Sequence, residues 1–307
     1  MSPQGQERAP AGSAPNQAAT RGTFRQLHRL RVRWAEVDLQ GIVFNGHFLL
    51  YLDTAVADYW RALALPYVES MQGFGGDLYV RKSTLEYHAS ARYDEQLDIG
   101  IRSVRIGSSS MQFEGAVFRQ DTLLVAGELV YVFADPATQK SKPVPADLRA
   151  LLQGYEAGEA MHTVRTGSWQ TLAADARAIR DEVFVQEQGI AAELDVDAAD
   201  ATDASCLHAV AYNRIGMALA TGRLQAAGSG AVKLGRMAVR QALRGAGLGS
   251  AVLDALLAAA RERGDAEAML NAPRSAAGFF SRRGFTQQGP AFDEAGTPHV
   301  AMRRSLR

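Results

Sequence analysis

Between Phe48 and Leu63, apolar residues recur three and four apart (Phe48, Leu52, Ala55, Val56, Tyr59, Leu63), the spacing of one buried helical face. Upstream, Leu30, Val32 and Trp34 alternate with Arg29, Arg31 and Arg33, which predicts a half-buried strand starting at Leu27. Downstream, the helix ends before Pro66 and a glycine-rich loop follows (Gly73, Gly75, Gly76). Beyond it come only strand patterns, over 78–90, 96–106, 110–119 and 123–134, divided by "ARYDE", "IGSS" and "RQD". One long helix and a run of antiparallel strands bury their apolar faces on each other. The predicted fold is α+β, a sheet wrapped on one helix.

The second half has another rhythm. A helix near 169–187 carries Leu172, Ala176, Ile179 and Val183 on one face, and strands follow near 207–212, 216–225 and 231–239. A helix over 247–263 stops at Gly264. A strand at 266–271, a short helix at 275–283 and strands near 285–292 and 298–304 complete a mixed α/β domain. The expected organisation is a disordered tail over 1–26, a first domain over 27–135, a Pro/Lys-rich linker with a short helix over 136–162, and a second domain over 163–307.

Composition excludes several functions. Lys+Arg and Asp+Glu each total 33, so nothing marks a nucleic-acid or anionic-membrane surface. No apolar run approaches the roughly 20 residues of a membrane span. The tail has no apolar core of a signal peptide. Cys206 is the only cysteine, and no Cys/His metal spacing occurs. The expectation is a soluble, cytoplasmic protein.

Two stretches carry chemistry. In "DLQGIVFNGHFLLYLD", Asp38 sits in a turn after a strand, seven residues before the large helix opens at Asn45. A helix start offers unpaired amides and a positive dipole end, able to hold a carbonyl oxygen that is becoming negative. A carboxylate beside it can attack the carbonyl carbon or deprotonate water. Asp38 with the Asn45 or Gly46 amide therefore supplies both parts of thioester hydrolysis, and His47 lies in the same first turn.

Over roughly 27–150, "RVRWAEVDLQGIVFNGHFLLYLDTA", "LEYHASARYDEQLDIGIRSVRIGSSSMQFEGAVFR" and "LLVAGELVYVFADPATQKSKPVP" resemble hotdog-fold acyl-CoA thioesterases of the 4-hydroxybenzoyl-CoA thioesterase and YbgC/FadM type. The resemblance implies that Asp38 is the nucleophile or general base and that the Asn45 amide polarises the thioester carbonyl. It also implies paired hotdog domains, a homo-oligomer with sites near the subunit junction. Many relatives have a histidine or second asparagine where Ile42, Phe44 and Asn45 stand, while Asp53 matches an acidic helix position.

The other stretch is "LGRMAVRQALRGAGLGSAVLDALLAAARERG". Arg244, Gly247 and Gly249 form R-x-x-G-x-G between a strand and an amphipathic helix, where successive amides can cradle a pyrophosphate. With "RDEVFVQEQGIAAELDVDAAD", "GFFSRRGF" and "FDEAGTPHVAMRR", it resembles GNAT-superfamily N-acetyltransferases of the ElaA-like branch, over roughly 163–307. By that resemblance Met237, Ala238 and Val239 pair with the pantetheine arm, and Arg244, Gly245, Ala246, Gly247, Leu248, Gly249 and Ser250 surround the pyrophosphate. Asn271 faces the thioester. Phe280 stands where many members have a tyrosine that protonates the leaving thiolate. Glu187 and His208 are candidate bases on the amine side.

The resulting expectation is a fused enzyme with no tightly bound cofactor. It hydrolyses an acyl-CoA at one site and transfers an acyl or acetyl group from acyl-CoA to an unidentified amine at the other. Two alternatives stay open: a second domain that only senses acyl-CoA, and a first domain that only binds or oligomerises.

Overall fold

The computed structural model describes residues 19–192, 200, 206–228, 230–294 and 296–307. They form two compact units. One holds the described residues up to Tyr59 and Gly76–Val144; the other holds Trp60–Gly75 and Pro145–Arg307.

The first unit contains β1 (Leu27–Arg31), most of α1 (Asn45–Ala62), β2 (Asp77–Tyr87), β3 (Gln96–Ile106), β4 (Ser110–Arg119) and β5 (Thr122–Ala134). Its sheet is antiparallel in the order β1-β3-β4-β5-β2, with β1 and β2 at the edges. Gly115 on β4 lies opposite Gly127 on β5, and fully buried Leu52 of α1 fills the space that both leave. A Cβ on Gly115 would fall 2.6 Å from Leu52 Cδ2, and one on Gly127 2.8 Å from Cδ1. Two adjacent strands thus show bare backbone where the helix presses closest. Phe113 extends this core through edge-on contacts with Tyr59 and Tyr131, each at 5.6 Å between ring centres.

Two expectations need correction here. The strand alternation stops at Arg31, and Trp34, expected to be buried, is 78 % exposed in a 3₁₀ turn (Trp34–Glu36). The inward position there belongs to Glu36. The expected tail falls largely on residues 1–18, outside the described residues, but its last part is packed. Phe24 is buried edge-on against Phe118, and Arg21 donates to Asp98 at 2.6 Å.

The second unit contains α2 (Tyr67–Phe74), α3 (Ala146–Glu156), β6 (His162–Gly167), α4 (Trp169–Arg180), β7 (Leu207–Asn213), β8 (Ala218–Ala226) and β9 (Ala231–Val239). It continues with α5 (Leu248–Glu262), β10 (Glu267–Pro273), α6 (Ala277–Ser281), β11 (Thr286–Glu294) and β12 (Thr297–Ser305). The seven strands run β11-β12-β10-β9-β8-β7-β6, and only the β9–β10 pair is parallel. Trp169, Leu172, Ala176 and Ile179 of α4 pack with Val210, Tyr212 and Ala238.

The residues around Gly73 are helical rather than loop, because Gly75, at φ 71°, is the left-handed cap that ends α2. Within this unit the Asn213 amide donates to the Ala64 carbonyl at 3.0 Å, and Arg240 pairs with Glu69. The helix expected over 169–187 changes pitch at Asp181, and Asp181–Glu187 is a π-helix. Strand β6 had no counterpart in the sequence reading. No described helix is long and apolar enough to cross a membrane.

Candidate active sites

The segment after β1 closes into a tight loop. Val37 pairs with Val43 antiparallel, the Asp38 amide donates to the Ile42 carbonyl at 2.9 Å, and the Gly41 amide to the Asp38 carbonyl at 2.9 Å. Gly41 adopts φ 73°, which a turn this tight requires and a side chain resists. The loop holds Asp38 beside the chain that enters α1. Asp38 is half-buried; its Oδ1 accepts the Gln40 amide at 2.8 Å, and among the described residues nothing engages Oδ2. One carboxylate oxygen is thus held by the loop's own backbone.

Helix α1 opens at Asn45, after the Phe44 amide donates to the Glu36 carbonyl at 2.9 Å. His47 donates its amide to the Phe44 carbonyl, whereas Asn45 and Gly46, among the described residues, have no backbone acceptor. These are the dipole-positive amides the sequence assigns to the oxyanion. The loop sets Asp38 across from Ile42, three residues before α1 opens at Asn45. His47 is half-buried, its ring 6.1 Å from that of Phe44. Trp34, Leu39 and Phe44 on this segment are exposed apolar side chains, as is Tyr87, whose hydroxyl donates to the Asn45 carbonyl at 3.2 Å.

Sequence reasoning missed Glu36. Its carboxylate is buried and accepts hydrogen bonds from Arg33 and from the Tyr51 hydroxyl. Burial pushes this carboxyl up, but the bonds from Arg33 and Tyr51 outweigh burial and hold it below the usual carboxylate range. The signal was present: an acid two residues after Trp34, on the face an alternating strand would bury.

In the second unit the decisive feature is a parting of strands. β10 pairs with β9 only over Glu267–Met269 against Ala231–Lys233. Beyond that, β9 stays with β8 to Val239 while β10 stays with β12 to Pro273. A β-bulge sharpens the divergence: the β8–β9 register slips between Thr221 and Arg223, and Arg236 takes φ 52°. Met237, Ala238 and Val239 lie along the freed edge of β9, and Asn271 lies on the opposite bank. The Asn271 amide donates to Glu294 at 2.9 Å.

At the end of the parted strand the chain turns through Gln241–Leu243 into Gly245 (φ 88°), Ala246 and Gly247 (φ 86°), the N-terminal cap of α5. Both glycines occupy the left-handed region, so the loop presents successive amides ahead of Leu248, Gly249 and Ser250 in the first turn. Gly249 allows close approach to β9, since a Cβ there would lie 3.3 Å from Val239 Cγ2. Arg244 does not stand free: it forms a two-pronged ion pair with Glu187 and donates from Nε to the Val239 carbonyl. Phe280 is buried against Phe279 and Phe285, its neighbours by ring contact.

His208 is buried beside Asp200, Cys206 and the Trp169 ring, away from any role as an exposed base. The donor atoms of Asp200, Cys206 and His208 lie within 4.8 Å of one another. Asp200, however, already accepts from Arg180 at 2.9 Å and Arg223 at 2.8 Å. A divalent cation would sit against two guanidinium groups, so this donor set does not suit a metal.

Residues 40–126 match the family model "Thioesterase superfamily", and residues 182–306 match "Acetyltransferase (GNAT) domain". The chain joins a thioesterase-superfamily domain to a GNAT acetyltransferase domain. The thioesterase domain is 26% identical over 122 residues to the acyl-CoA thioester hydrolase YbgC of Escherichia coli O157:H7, covering 39% of this chain and 90% of that protein. The GNAT domain is 33% identical over 124 residues to a Bacillus subtilis protein with a provisional acetyltransferase name, covering 40% of this chain and 83% of that one. Among solved structures, a Thermus thermophilus thioesterase crystallised with coenzyme A and zinc has 24% identity and a TM-score of 0.40, over 44% of this chain and 96% of that one. Acyl-CoA hydrolysis and acetyl transfer are the activities of these families; the hotdog and GNAT folds expected from sequence are both present.

Proposed function

We propose that the thioesterase domain hydrolyses an acyl-CoA to a free acid and CoA, with Asp38 as the principal catalytic group. The closed loop, which holds Asp38 across from Ile42 on the chain that leads into α1, supports this reading. In it, the Asn45 and Gly46 amides receive the thioester oxygen as the carbonyl carbon is attacked. Asp38 either adds to that carbon, expelling CoA thiolate and leaving a mixed anhydride for water to cleave, or takes a proton from the attacking water. His47, half-buried in the first turn of α1, would contact the reacting ester. Catalysis occurs in a homo-oligomer: edge strand β2 is eleven residues long and exposes Val80 and Tyr87, a surface suited to pairing with a second copy.

The GNAT domain transfers an acyl or acetyl group from acyl-CoA to an amine. The freed backbone of Met237–Val239 would pair with the amides of the pantetheine arm, the Gly245–Ser250 turn would hold the pyrophosphate beside Arg244, and Asn271 would face the thioester. CoA enters both reactions as substrate, not as a resident cofactor. The buried Phe280 supports a second reading, in which this domain binds acyl-CoA without transferring it. A thiolate leaves with little protonation help, the reference pKa of a thiol being about 8.5, so we place transfer first.

The test uses the full chain with short, medium and aromatic acyl-CoA esters, following free thiol alone and then with added amines. Thiol release without amine supports the hydrolytic site, and amide product supports transfer. No thiol from any ester would sink the first assignment; tight CoA binding without amide product would establish the sensor.

A further inference from the structure

Glu36 holds three pieces of the thioesterase domain together. Oε2 accepts from the Arg33 amide at 2.7 Å and from the Tyr51 hydroxyl at 2.7 Å, and Oε1 accepts from Arg33 Nε at 2.6 Å. Its backbone carbonyl accepts from the Phe44 amide, immediately before α1. Its side chain is only 4 % exposed. Burying a carboxylate is costly, and an apolar residue would fill the same space more cheaply, so stability alone is a poor reason for an acid here.

The bonds show what the acid accomplishes. Tyr51 fixes Glu36 to the body of α1, while the Phe44 bond fixes it to the residue preceding the helix. Two residues on, Asp38 begins the closed turn. We propose that Glu36 is a positioning residue of the thioesterase site, setting the separation between the Asp38 carboxylate and the first amides of α1. This rests on the hydrolytic reading of Asp38 given above. Glu36 touches no reacting atom; its effect passes through the backbone of 37–44. Misplacing a reacting group by about 1 Å can cost roughly 100-fold in rate, so a clamp of this kind has a measurable consequence.

The experiment compares the full chain with Glu36→Gln and Tyr51→Phe, by steady-state thiol release and by amide hydrogen exchange. Glu36→Gln keeps the shape but loses the charge and meets Arg33 with a donor. Its kcat should fall about 10- to 100-fold with KM within about threefold, and exchange should quicken over 36–47 while the strands stay protected. Tyr51→Phe should move both readouts the same way, less far. A merely structural role would lower the melting temperature but leave kcat per folded molecule intact. A kcat within about twofold of the parent for Glu36→Gln overturns the proposal. If that variant does not fold, Tyr51→Phe decides by unchanged kcat and unchanged exchange. Should the parent itself release no thiol, the hydrolytic reading fails. The clamp is then judged separately: quickened exchange confined to 36–47 upholds its hold on the loop, and unchanged exchange overturns it.

Discussion

Arg244 and Glu187 meet fork to fork, Nη1 to Oε1 at 2.6 Å and Nη2 to Oε2 at 2.5 Å. The hydrogen bonds from Arg244 hold the Glu187 carboxyl below its ordinary range. A carboxylate so stabilised is a weak base and does not accept a proton from an amine near neutrality. Glu187→Gln should therefore leave the pH dependence of amine acylation unchanged between about pH 6 and 9. It should also weaken CoA binding, because Arg244 loses the partner that fixes it beside the Gly245–Ser250 turn. A pH–rate profile and a CoA titration check this; disappearance of a rising limb in the variant would make Glu187 the base after all.

Asp38→Asn tests the hydrolytic site. The substitution is isosteric and keeps an oxygen for the Gln40 amide, so the loop should remain closed. Loss of the charge should lower thiol release by at least about 100-fold, about 3 kcal/mol of transition-state stabilisation, with an unchanged melting temperature. Turnover close to the parent rate would remove Asp38 from the mechanism.

Gly115→Ala should destabilise the thioesterase domain by about 1–3 kcal/mol, since its Cβ would overlap Leu52 against the fully buried face of α1. Shortening the opposing side chain in the double variant Gly115→Ala/Leu52→Ala should recover part of that loss, giving less than the sum of the single effects. Urea unfolding of the three variants measures the coupling. Strict additivity would mean that the helix and the two strands do not meet as described.

Asp200→Asn should destabilise the GNAT domain by roughly 3 kcal/mol at neutral pH, because two buried guanidinium groups share that carboxylate. Burial pushes the Asp200 carboxyl up, but the bonds from Arg180 and Arg223 bring it below its ordinary value. A depressed folded-state pKa contributes stability that is complete above the unfolded carboxylate value, about 3.9, and is lost as pH falls through the folded one. Melting curves of parent and variant should thus lie furthest apart near neutrality and converge in acid. A constant gap down to the acid limit would contradict the assignment of the charge.

Much of this was legible because periodicity reports burial. The spacing of Phe48, Leu52, Ala55 and Tyr59 sets the face of α1, and the strands that cover it announce themselves by composition. Asp38, Asn45 and the Gly245–Gly249 turn could be picked out as candidates because their setting is local, a loop meeting a helix start. What sequence did not show depends on neighbours. Gly75 looked like loop because a left-handed helix cap and a loop glycine read alike. Trp34 looked buried because alternation cannot reveal where a strand turns away. Glu36 acquires meaning only from Tyr51, fifteen residues on and on another element. The parting of β9 from β10 is a matter of register, and only the paired strands disclose it.

That parting leaves the seven-stranded sheet short of backbone partners along one seam. A ligand with amides spaced like a peptide can lie in the seam and bond to a bank, serving for a time as an additional strand. On the proposed reading, a bound acyl-CoA would become part of the architecture, and its departure would remove a structural member as well as a chemical one. Such a domain would be stiffest while loaded and most pliant just after release, so the free energy of sheet completion enters directly into the hold it keeps on its donor.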